Sequence, residues 1–194
     1  MLAVEKRIKT KQQLKQWLEL ELKTYPKGIR QLLPTEAAIL RKHQILLRKT
    51  EYYTNVGNKL FAFIYRNRLS RIQNLYGMHI PINVCDKGLR IMHIGPVSVN
   101  QGATVGQNCS FHINTAVVAG GTNNDVPIIG DNVVIGVGAV VLGGVKIANG
   151  TAIGANAVVN KDVVEENIAV AGVPAKKISN NGKLTWNKKG NENS

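Results

Sequence analysis

The chain has 194 residues, with 25 Lys and Arg against 12 Asp and Glu, 44% hydrophobic residues, 5% aromatic residues and 19 glycines. That length and apolar content suit one core with an appendage and exclude a disordered chain. Cys85 and Cys109 lie 24 positions apart with no Cys-x-x-Cys, which excludes a disulfide framework and a structural zinc site and suits a reducing cytoplasm.

The N-terminus meets charge at Glu5-Lys6-Arg7 before a signal core could form. The longest apolar run, Val133 to Val145, is 13 residues, short of the about 20 that a bilayer span needs. A cytoplasmic chain is expected. Residues 1 to 90 hold 18 basic and 6 acidic residues, whereas residues 91 to 194 hold 7 and 6. Glycine is distributed the other way, with four before position 90 and fifteen after it.

The basic half reads as helices, because apolar residues recur at helical spacing between breakers. Leu14, Trp17, Leu18 and Leu22 form one stripe within residues 10 to 24, stopped by Tyr25-Pro26-Lys27-Gly28. A second helix begins near Pro34-Thr35-Glu36 and carries Ala38 to Leu47. In a third, Phe61, Tyr65, Leu69, Ile72 and Tyr76 fall at i, i+4, i+8, i+11 and i+15 on one face, with Lys59, Arg66, Arg68 and Arg71 opposite and Gly77 as C-cap.

From residue 99 the period becomes six. Val99, Val105, Phe111, Val117, Ile129, Ile135, Val141, Ile147, Ile153 and Val159 keep one register, broken only at Asn123. Four positions after most anchors stands a small or β-branched residue, with Gly, Asn or Asp between, as in Ile129-Gly130-Asp131-Asn132-Val133. Such a unit is a short strand and a turn that points one aliphatic residue into a narrow core, and stacking the units gives a solenoid that needs protected ends. The sequence therefore divides into a basic α-helical region (1–78), a β solenoid (79–178) and a flexible tail (179–194).

This repeat, with Ala119-Gly120-Gly121-Thr122, Ile135-Gly136-Val137-Gly138-Ala139 and Ala171-Gly172-Val173-Pro174-Ala175-Lys176-Lys177-Ile178, resembles the hexapeptide-repeat acyltransferases, in their serine acetyltransferase-like branch. The resemblance implies a mainly β fold, a left-handed parallel β-helix behind an α-helical N-terminal region. It also implies a homotrimer with acetyl-CoA as co-substrate in the groove between neighbours, active sites shared by two subunits, and no metal. His93 occupies the place of the family's catalytic histidine, the base that removes the acceptor hydroxyl's proton. His112, nearly one coil further on, is read either as a second polar group at the acceptor or as a wall residue at the subunit seam. Backbone N–H groups around Gly120 and Gly121 are candidates for the oxyanion. For CoA the matching positions are Gly121 and Thr122 at the thioester arm, Gly138, Ala139 and Ala155 along the pantetheine, and Lys176 and Lys177 at the phosphates. The lysine that the family carries before its Ile-Gly-Ala is Ala152 here, with Lys161 as a substitute.

Other positions depart from the serine enzymes. The aspartate before the catalytic histidine is Met92, and the Arg-His-Pro of the family's longer loop aligns with Asp125-Val126-Pro127. No acid to orient His93 is evident, Asp86 being a conjecture. A zwitterion brought into a cleft without paired charges costs several kcal/mol, so the expectation shifts from serine to a sugar hydroxyl, as in the similar enzymes of capsule and exopolysaccharide assembly. Serine acetylation and a non-enzymatic trimeric scaffold are the alternatives. A β-helix carbonic anhydrase is excluded because the residue five after His112 is Val117. No nucleic-acid-reading motif accompanies the basic helices, but their charge beside Phe61, Phe63 and Tyr65 raises the expectation of peripheral contact with an anionic membrane.

Overall fold

The computed structural model describes residues 1–23, 25, 35–121 and 124–184. After a single turn of 3-10 helix at Val4–Lys6 come α1 (Lys11–Glu21), α2 (Glu36–Asn55) and α3 (Lys59–Tyr76). Thr10 caps α1 in a capping box with Gln13, Thr35 and Asn58 cap α2 and α3, and Gly77 closes α3 at φ 70°. α2 continues eight residues past the apolar stretch that marked it, because its last turns pack on α3. On α3 the core takes Leu69 and Ile72, while Phe61 remains 43% exposed and stacks on Tyr53 at 5.0 Å.

Fourteen short strands follow among the described residues. The first sheet holds β1 (Met78–His79), β3 (Val97–Val99), β6 (Thr115–Val118), β9 (Val140–Leu142) and β12 (Val158–Val159). The second holds β4 (Thr104–Val105), β7 (Ile128–Ile129) and β10 (Lys146–Ile147). The third holds β2 (Arg90–Ile91), β5 (Ser110–Phe111), β8 (Val134–Ile135), β11 (Ala152–Ile153), β13 (Ala169–Ala171) and β14 (Lys176–Ser179). Each coil visits the third, first and second sheets in turn and every pairing is parallel except β13 with β14, which is the expected left-handed β-helix.

All ten anchors of the six-residue register are at most 5% exposed. The gap at Asn123 marks a longer coil: Val99 pairs with Val117, but Val117 pairs with Val141, so six extra residues leave the stack as a loop. Asn108, Asn132 and Asn156 turn the corners with φ of 55 to 56°, a conformation that Asn tolerates better than other residues with a Cβ. Gly138 has φ 70°, and a Cβ there would lie 2.1 Å from Asn156 Oδ1. Gly138→Ala is expected to lose about 1–2 kcal/mol of stability, read as a lower urea midpoint with an unchanged m-value.

In the segment read as a tail, Ser179 still belongs to β14, Gly182 N–H donates to Asn167 O at 2.8 Å, and Lys183 Nζ donates to Ser110 Oγ at 2.9 Å. No helix among the described residues is long and apolar enough to cross a membrane.

Candidate active site

His93 and His112 leave the third sheet at the same corner of successive coils, held there by Met92 N–H on Phe111 O at 2.9 Å and His112 N–H on Ile135 O at 3.0 Å. Their rings lie 6.5 Å apart. The His93 side chain is 57% exposed, and His112 is half-buried, with burial first and His93 second pushing its imidazole below the ordinary histidine range. His43 is buried in α2, where burial pushes its imidazole down to about 4.

The acid beside His93 is Glu36, which sequence reasoning missed. Its Oε1 accepts the Ile94 N–H at 2.8 Å and stands 3.4 Å from His93 Nδ1. It is the first residue of α2, behind the Thr35 cap, where a carboxylate also complements the helix dipole. Asp86 does not serve: it is buried at another corner, with Oδ1 accepting the Lys87 N–H.

Beside Met92 opens a cavity of about 180 Å³ lined by Tyr25, Glu36, Ala37, Leu40, Arg90 and Ile91. One carboxylate and one guanidinium thus face a space smaller than the roughly 300 Å³ at which drug-sized sites begin. Met92 stands where the family carries an aspartate, and Glu36 and Arg90 line the space beside it.

The remaining candidates divide between two corners. Gly138 and the exposed Ala155 continue the corner of His93 and His112, and Lys176 begins the strand that follows its last turn. Lys177 is paired with Glu165. Ala139 is corrected to a core residue: its methyl is fully buried, its N–H donates to Gly136 O and its carbonyl accepts from Ala116. Gly121 lies in the extruded loop at the next corner, between the first and second sheets, and Thr122 lies outside the described residues. Gly120 N–H is already bonded to Asp125 O at 3.2 Å, which leaves Gly121 as the oxyanion candidate of the pair. Gly121 and His93 thus stand at different corners of the coil. Among the described residues no group of three or more His, Cys, Asp or Glu could hold a metal ion.

Residues 127–161 match the family described as Bacterial transferase hexapeptide (six repeats). That stretch of the β-helix carries the hexapeptide repeat. It is 33% identical over 138 residues to a serine acetyltransferase of Buchnera aphidicola, a match covering 68% of this chain and 48% of that one. A serine acetyltransferase of Synechococcus elongatus is 29% identical over 173 residues, covering 82% and 70%. The chain spans about half the length of the Buchnera relatives it matches.

The solved structure of Neisseria gonorrhoeae serine acetyltransferase in complex with serine superposes with a TM-score of 0.61 at 28% identity, covering 85% of this chain and 69% of that one. That of the Brucella abortus enzyme in complex with coenzyme A gives 0.63 at 25%, covering 88% and 68%. These relatives are serine acetyltransferases, and the expected kinship with polysaccharide-cluster enzymes finds no support among them.

Proposed function

We propose that this protein is an acetyl-CoA-dependent O-acetyltransferase whose acceptor is the hydroxyl of a small amino acid, serine first, and that it works as a homotrimer. The observation that carries the acceptor is the Glu36 and Arg90 pair around the cavity beside Met92. A free amino acid carries an ammonium and a carboxylate, and each has an opposite charge on that wall, offsetting the desolvation cost. The names of the relatives and the serine and CoA bound to two of their structures support the same reading.

In this mechanism His93 removes the hydroxyl proton as the oxygen attacks the thioester carbonyl, and Glu36 orients the ring and stabilises the imidazolium that forms. The tetrahedral intermediate collapses by expelling the CoA thiolate, which recovers the proton from His93. Gly121 N–H, supplied by a neighbouring copy's loop, stabilises the oxyanion. The trimer supplies what one chain lacks, because it places one copy's second corner beside the next copy's first. The pantetheine runs along Gly138 and Ala155 toward Lys176 and Lys177.

Release of free CoA from acetyl-CoA, with L-serine and a panel of nucleotide sugars offered in parallel, tests the proposal. Saturable turnover with L-serine and none with the sugars is expected. Turnover of a sugar with serine inert would return the acceptor to the glycan reading, and silence on all acceptors by a folded trimer would leave a scaffold.

A further inference from the structure

The mechanism proposed above uses none of the cations on α2 and α3. Two adjoining cavities of about 410 and 320 Å³ run between α2 and α3 and share Lys42, Leu46 and Arg68. Together their walls present Arg41, Lys42, Lys49, Arg68 and Arg71 and no carboxylate. Among the described residues none of the five is in a salt bridge. Lys49 Nζ donates to the Tyr65 hydroxyl at 3.5 Å and lies 5.3 Å from that ring's centre. Arg48, by contrast, is buried between two carboxylates, so this chain does pair a cation where the fold requires it.

The same flank of α3 is also apolar. Leu60, Ile64, Arg68, Arg71 and Leu75 recur at i, i+4, i+8, i+11 and i+15 and so lie on one stripe. Leu60 is 65% exposed and Leu75 70%. Cations alternating with exposed aliphatic side chains along one stripe match a surface that is anionic at its phosphates and apolar just beneath.

We infer that the α2–α3 groove and the adjoining stripe of α3 dock on an anionic phospholipid membrane. A two-fold contact of this groove with its copy does not fit, because it sets five cations against five. A nucleic acid would use the cations but leaves Leu60, Ile64 and Leu75 in water. The contact is peripheral and independent of the acetyl-transfer reading.

Co-sedimentation of the full chain with phosphatidylcholine vesicles, with and without phosphatidylglycerol, tests the inference at low salt. Binding to the anionic vesicles alone is expected, weakening as salt rises. Arg68→Glu with Arg71→Glu should lower the affinity at least about tenfold, and Leu75→Ser should weaken it without changing the charge. The melting temperature of each variant shows that the exposed substitutions leave the fold intact. Three results would overturn the inference: no binding to anionic vesicles, equal binding to neutral ones, or wild-type binding by the double variant. An unaffected Leu75→Ser together with equally tight binding of a DNA duplex or free polyphosphate would assign the groove to a soluble polyanion.

Discussion

His93→Ala is expected to lower kcat by about a hundredfold to ten-thousandfold, the range a positioned general base contributes, with CoA binding and the oligomeric state unchanged. The side chain is more than half exposed at a corner of the coil, so its removal leaves no core cavity, and a scaffold role would make the substitution silent. Glu36→Gln separates charge from structure, because the amide oxygen still accepts the Ile94 N–H while the negative charge near Nδ1 is gone. A smaller loss in kcat, on the order of tenfold, is expected with little change in melting temperature. Steady-state CoA release across the pH range, with CoA binding by calorimetry, checks both. Equal kcat for His93→Ala and wild type would remove His93 from the chemistry.

The solenoid was legible because its signal is local and repeated. Each anchor stands six residues from the next, and a short coil has one inward direction for it, so register in the chain becomes register in the core. His93 was legible for a different reason, its place in a motif. Glu36 was not, because it stands 58 positions before Ile94, whose N–H it accepts, and helix packing on the solenoid decides the pairing. The one local signal, Thr35-Glu36, reads as a helix start, and it is that too. Arg48 was hidden in the same way. In a chain with 25 basic residues, nothing local distinguishes a buried guanidinium from a solvated one.

Arg48→Met should be the most destabilising single substitution of the helical half, by about 3–5 kcal/mol, the loss expected when one partner of a buried ion pair is removed. Arg48 is fully buried. Its guanidinium binds both oxygens of Glu21, with a shortest contact of 2.7 Å, and Glu51 Oε2 at 2.8 Å. It also donates to the carbonyls of Cys85 and Asp86 at 2.8 Å and lies 4.8 Å over the Trp17 ring. Glu21 in turn accepts the N–H groups of Gly88 and Leu89, and Glu51 that of Asn83. One side chain thereby ties α1, α2 and the entry to the β-helix together, and methionine leaves two carboxylates buried against each other.

The pH dependence of that loss has a defined sign. Burial raises the Glu51 pKa above the ordinary carboxylate range, and Arg48 opposes the rise. Without Arg48 the rise is larger, so the folded variant holds a proton that the unfolded chain releases, and its stability falls as pH rises through the carboxylate range. The gap between Arg48→Met and wild type should therefore be narrower at about pH 5 than at about pH 8. Replacing Glu21 and Glu51 by glutamine beside Arg48→Met should recover part of the loss, because the amides carry no charge while their oxygens still accept the N–H groups of Gly88, Leu89 and Asn83. Urea unfolding of the single and triple variants at both pH values measures this. A single variant within 1 kcal/mol of wild type at both would show that the network contributes geometry but no net stability.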